Sequence, residues 1–145
     1  MAEILLAEDN PADVYLIREA LSQHGVNYKM RVVSDGRDLL RIITGEEPRP
    51  EIKGLELIIL DLNLPRHDGI EILERLRETP DMAHIPVVVL TSSDSPRDRL
   101  LATSLGATRF LRKPSGLDQF LNLGAIFKDL LRQRGGGGNE PGTGY

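Results

Sequence analysis

The chain has 145 residues, enough for one globular domain with its own core, and its 40% hydrophobic and 28% charged residues exclude a disordered or fibrous protein. It is net acidic at -4, with no run of lysine or arginine, which argues against a nucleic-acid footprint. Cysteine is absent, so disulfides, thiolate metal sites and thiol nucleophiles are excluded, and no apolar run approaches the roughly 20 residues that span a bilayer. A cytoplasmic location is expected, with no membrane contact.

Short apolar runs alternate with helical patterns along the chain, which predicts βα units around a parallel sheet. Residues 4–7 form the first strand, after which come Glu8 and Asp9. Asn10 is placed to cap a helix with Pro11 at its first position and Asp13 in its first turn, closing at Gly25. Tyr28, Met30 and Val32 alternate with Lys29 and Arg31, the pattern of a half-covered edge strand. A second helix is expected over residues 36–43 with Gly45 as its stop, then a long surface loop over residues 46–56. Residues 57–60 are apolar on both faces, as a central parallel strand requires, and Asp61 ends them.

A turn through Pro65 and Gly69 leads to a helix with Ile72, Leu73 and Leu76 on one side, stopping before Pro80. Residues 87–90 are the fourth strand, followed by Thr91, Ser92 and Ser93; Ser95, Pro96 and Asp98 then open a helix that closes at Gly106. Residues 108–112 are the fifth strand, Lys113-Pro114 follows, and Ser115 with Asp118 forms a weak capping box for the last helix. That helix carries Leu117, Phe120, Leu121, Leu123, Phe127, Leu130 and Leu131 at helical spacing, a stripe for core and interface. The domain is expected to occupy residues 1–134, with a flexible glycine-rich tail over residues 135–145.

In an open α/β sheet, ligands bind outside the carboxyl ends of the strands where strand order reverses. Here those ends carry Glu8 and Asp9, Asp61, Thr91 and Lys113, all on one edge. Carboxylates within about 4 Å repel by roughly 4 kcal/mol at an effective dielectric of 20, so the cluster needs a cation. A hard divalent ion with oxygen ligands, Mg²⁺, fits and leaves coordination positions for phosphate oxygens. His24, His67 and His84 lack metal-ligand spacing and are expected at the surface.

The set resembles the receiver domains of two-component response regulators. The motifs are Glu8-Asp9, Asp61-Leu62-Asn63-Leu64-Pro65 with the Asp68-Gly69 turn, Thr91-Ser92, and Lys113-Pro114, in order over residues 4–134. Glu8 stands where some members have aspartate, and the opening Glu-Asp-Asn-Pro-Ala-Asp with the long loop looks most like the single-domain regulators of phytochrome-type sensor kinases. The resemblance implies a flavodoxin-like, doubly wound (βα)5 fold with sheet order 2-1-3-4-5. It implies a stand-alone regulator in which Asp61 takes a phosphoryl group from a sensor histidine kinase. Glu8, Asp9, Asp61 and the Asn63 backbone carbonyl would hold Mg²⁺, Lys113 would neutralise the phosphoryl oxygens, and the small Ser92 would leave the phosphate room to approach. Thr91 and Phe110 would form the switch, read out on the face of helix four, strand five and helix five by a partner or a second copy. Ser93 would tune dephosphorylation, and Lys113-Pro114 would be cis. Such a protein is a phosphoacceptor that promotes its own phosphorylation and dephosphorylation rather than an enzyme on external substrates.

Three other readings compete. A phosphorylation-independent docking module would keep the same residues. A phosphatase working through an aspartyl phosphate would be expected to have a general acid where Asn63 stands, and a substrate cap. A nucleotide-binding flavodoxin-like domain would have a glycine-rich loop after the first strand, where this chain has carboxylates that repel anions.

Overall fold

A computed structural model describes residues 1–46 and 54–137. Among the described residues five strands alternate with five helices: β1 (Ala2–Ala7), α1 (Pro11–Gln23), β2 (Tyr28–Val33), α2 (Gly36–Thr44), β3 (Leu55–Leu60), α3 (Gly69–Glu78), β4 (Val87–Thr91), α4 (Pro96–Ser104), β5 (Arg109–Arg112) and α5 (Leu117–Gly137). All strands pair in parallel, in the order β2-β1-β3-β4-β5, the expected flavodoxin-like arrangement. The chain moves outward from β1 to β2 and then returns to the other side of β1, so strand order reverses between β1 and β3. The register pairs Ala7 with Leu60, which sets Glu8 beside Asp61 at that reversal.

Burial explains why the central strands are apolar throughout. Ile4, Leu6, Leu57, Ile59, Val88 and Leu90 face Ile17 and Leu21 of α1 and Phe120, Leu123 and Phe127 of α5. Their neighbours Leu5, Ala7, Ile58, Leu60, Val87 and Val89 face α2 and α3 on the other side. Each buried valine, leucine, isoleucine or phenylalanine contributes about 1.5–3 kcal/mol, so a sheet covered on both faces cannot alternate polar with apolar. The α5 stripe is mostly core, packed against α1, although Leu117 is left exposed. Gly124 permits that packing: a Cβ there would overlap the Ala20 carbonyl oxygen and the His24 ring. His24, expected at the surface, is half-buried under this contact, with Nδ1 3.0 Å from the Ala20 oxygen.

The caps act as the side-chain chemistry dictates. Asn10 accepts from the Ala12 and Asp13 amides and Ser95 from the Asp98 amide, each with proline opening the helix behind it. Asp35 and Asp68 cap α2 and α3 in the same way.

Four further expectations need correction. The strand β3 begins at Leu55, inside the segment read as loop, because it pairs with Glu3 at its start; residues 47–53 lie outside the described residues. The helix α5 starts at Leu117, after Ser115, with Phe120 donating to the Gly116 carbonyl. It runs on through Gly137, into the segment read as tail, since a nucleated helix gains one hydrogen bond per added residue; the remainder of that segment lies outside the described residues. No cis peptide bond is present among the described residues, so Lys113-Pro114 is trans. The Lys113 side chain nonetheless reaches the strand-end carboxylates.

Candidate functional site

The site lies at the carboxyl edge of the sheet. Glu8 and Asp61, one residue beyond β1 and β3, are 2% and 5% exposed, while Asp9 is open to solvent. One oxygen from each of Glu8, Asp9 and Asp61 lies within 4.8 Å of the others, a donor set of hard oxygens that could hold a cation. Local backbone fixes two of them: the Asn10 amide donates to Glu8 Oε2 at 3.1 Å, and the Asn63 amide to Asp61 Oδ1 at 2.9 Å. Behind Asp61, the Gly69 amide donates to the Leu62 carbonyl at 3.1 Å. A Cβ on Gly69 would overlap the Leu62 backbone, so this approach requires glycine.

Lys113 enters from the end of β5, anchored by its own amide on the Thr91 carbonyl at 2.8 Å. Its ammonium, with the side chain 10% exposed, bonds Asp13 Oδ2 at 2.7 Å, Glu8 Oε1 at 2.9 Å and Asp61 Oδ2 at 2.9 Å. Burial opposes the charged lysine, but the bonds to Asp13, Asp61 and Glu8 outweigh it and raise its pKa above the ordinary value. Glu8 is raised as well: burial is the main cause and the Asp61 charge adds to it, against the lowering effect of Lys113 and the Asn10 amide. The edge is therefore overloaded with negative charge that one lysine does not balance.

Thr91 is fully buried, and its Oγ1 accepts from Asn63 Nδ2 at 3.1 Å and from the Ser93 amide at 3.3 Å. Ser92 is exposed beside it. Ser93 Oγ donates to Asp98 at 2.8 Å and accepts from the Ser95 amide at 3.2 Å, tying this loop to the start of α4. Phe110 lies apart from the carboxylates, half-buried on β5, with the Arg99 guanidinium 4.8 Å from the ring centroid.

Thus Glu8, Asp9, Asp61 and Lys113 come together as expected, and Thr91 joins them through Asn63. Sequence reasoning missed two features. Asp13 was explained as a first-turn acid, although its position one helical turn past Asp9 could have placed it near the cluster. The Asn63 side chain, as distinct from its backbone carbonyl, is bound to Thr91.

Residues 4–123 match the family described as the response regulator receiver domain. The chain belongs to this family. As a receiver domain it is a phosphoacceptor of two-component signalling and not a classical enzyme. It is similar to the response regulator Rcp1 of Synechocystis sp., 35% identical over 83% of this chain and 82% of that protein. It is also 34% identical to the response regulator MprA of Mycolicibacterium vanbaalenii, over 90% of this chain but only 50% of that protein, so it spans about half of such relatives. The structure of the phosphorylated cyanobacterial phytochrome response regulator RcpA superposes with a TM-score of 0.82 at 32% identity, covering 92% of this chain and 95% of RcpA. An Mn²⁺-bound structure of Rcp1 gives 0.76 at 31% identity, covering 89% and 93%.

Proposed function

We propose that this receiver takes a phosphoryl group from the phosphohistidine of a sensor histidine kinase onto Asp61, with Mg²⁺ as cofactor, and that a phytochrome-type kinase supplies it. The observation that carries the reading is Asp61 itself: a buried carboxylate at the strand-order reversal, bonded to Lys113 at 2.9 Å and grouped with Glu8 and Asp9. The likeness to phytochrome response regulators supports the kinase class.

The donor set fits a hard divalent cation, because three carboxylate oxygens converge where, among the described residues, one ammonium offsets them. Glu8, Asp9, Asp61 and the Asn63 carbonyl would hold Mg²⁺, which would supply positive charge against the transferring phosphoryl oxygens. In the transfer, an Asp61 oxygen forms the bond to phosphorus as the bond from phosphorus to the kinase imidazole nitrogen breaks, and the imidazole leaves with the electron pair. The chain's contribution is position and charge, the two things phosphoryl transfer demands. Lys113 turns an N–H to a phosphoryl oxygen, and the exposed, small Ser92 leaves the approach open. Thr91 gives up its bond from Asn63 to donate to the phosphoryl group, and Phe110 leaves the Arg99 guanidinium for the space vacated. Hydrolysis of the acyl phosphate within the same site returns the protein to rest.

The readout proposed is the face of α4, β5 and α5, where Leu100 of α4 and Leu117 of α5 are 70% and 59% exposed, and where a partner protein or a second copy docks. The acidic balance of the chain favours a protein partner over nucleic acid. No described helix is long and apolar enough to cross a membrane, and the cytoplasm is the expected compartment.

Treatment with acetyl phosphate and Mg²⁺, followed by intact mass and size-exclusion chromatography, tests this reading. Wild type gains one phosphate and changes its elution with a partner or itself, while Asp61→Asn gains none. Folded wild type that gains none would instead favour a docking module that works without phosphorylation.

A further inference from the structure

An ammonium has three N–H donors, and those of Lys113 are matched by three carboxylates, Asp13, Glu8 and Asp61. Two of these acceptors have other work in the proposed transfer. Asp61 forms the new bond to phosphorus, and Glu8 belongs to the group suited to a cation. Asp13 stands outside that group among the described residues and makes the shortest of the three bonds, 2.7 Å. The bond joins α1 to the end of β5 across 100 residues of sequence.

A first-turn acid can serve the helix dipole from a solvent-exposed position. Asp13 is placed differently: its side chain is 16% exposed and is spent on Lys113. We infer that Asp13 is a positioning residue for phosphoryl transfer, the fixed anchor that keeps the Lys113 ammonium over Asp61 while its other two acceptors change their engagement. The inference rests on the phosphoacceptor reading above. At rest all three donors are committed. As Asp61 becomes an acyl phosphate, the donor it held is free to turn to a phosphoryl oxygen, and the bond to Asp13 keeps the ammonium within reach. Without Asp13, Lys113 is held only by the two groups that the reaction itself redirects.

The experiment uses the full chain and its Asp13→Asn, Asp13→Ala and Asp13→Glu variants, phosphorylated with acetyl phosphate and Mg²⁺ over a range of donor concentrations. The rate at saturating donor falls about tenfold or more in the Asn and Ala variants, as the loss of one charged hydrogen bond predicts, and the half-saturating concentration stays near wild type. The Glu variant recovers part of the rate. A second readout needs no phosphorylation: the Lys113 ammonium resonance in a nitrogen-correlated spectrum is protected from exchange in metal-free wild type and lost to exchange in Asp13→Asn. Asp13→Asn keeps a polar side chain in the first turn, and its urea midpoint reports whether the fold is intact. Wild-type rates in both the Asn and Ala variants overturn the inference alone, as does a protected Lys113 resonance in Asp13→Asn. A wild type that takes no phosphate overturns the phosphoacceptor reading, and the inference falls with it.

Discussion

Lys113 and Arg77 are cations drawn out of solvent at opposite ends of the same sheet, and they are held by different chemistry. Lys113 follows β5 and meets three carboxylates, Glu8, Asp13 and Asp61. Arg77, on α3, reaches the loops that precede β4 and β5 and bonds four backbone carbonyls: Leu105 at 3.2 Å, Ala83 at 2.7 Å, Ile85 at 3.2 Å and Gly106 at 2.9 Å. The pKa values move in opposite directions, with Arg77 lowered by burial and Lys113 raised by its acidic partners against burial. Carbonyl dipoles fix a guanidinium fork in place without adding charge, so the lower end is a clamp. Carboxylates add more negative charge than the lysine removes, so the upper end carries a surplus of negative charge that a further cation would offset.

The clamp predicts the largest loss of stability. Arg77→Met removes every bond of the fork and leaves its carbonyls to find water, and should cost about 3 kcal/mol by urea titration. Arg77→Lys should recover little, because a point charge cannot reach acceptors spread over two loops. The loss should be the same with and without Mg²⁺ and leave the phosphorylation proposed for Asp61 intact; a Mg²⁺-dependent loss would mean that the two ends are coupled.

The sequence displays one end of this comparison far better than the other. Strand-end Glu8, Asp9, Asp61, Thr91 and Lys113 are visible because apolar runs mark where strands stop, and the Asn10-Pro11 and Ser95-Pro96 pairs mark where helices begin. Arg77 is invisible by the same logic. Its partners are backbone carbonyls, which every residue has, and their convergence depends on how two loops pack. Asp13 was hidden by a sufficient local explanation, and the trans bond before Pro114 by a family habit that the path from β5 does not follow here. The helical course of residues 135–137 runs against glycine's poor propensity and was unreadable from composition.

The upper end yields the next prediction. If the carboxylates form a cation site, Mg²⁺ should stabilise wild type by about 2.7 kcal/mol at a hundred times its Kd, reversed by chelation. Asp9→Asn, which leaves the Lys113 bonds in place, should weaken this response. Equal stability with and without Mg²⁺ would remove the cation from the comparison and leave the carboxylates without a counter-charge.

The smallest effect tests the balance of charge directly. In the absence of metal, Asp61 both attracts Lys113 at 2.9 Å and repels Glu8, whose pKa it helps to raise. Asp61→Asn removes the repulsion together with one of three carboxylates on Lys113, which keeps two, and its single amide oxygen still accepts from either Lys113 or the Asn63 amide; relief of the repulsion is the larger expected effect. The variant should therefore be more stable than wild type by about 1 kcal/mol in metal-free buffer, and the gap should close or reverse as Mg²⁺ is added. A less stable metal-free variant would mean that the pairing with Lys113 outweighs the crowding of acids. The two half-buried cations would then differ in chemistry but not in purpose, each of them a clamp.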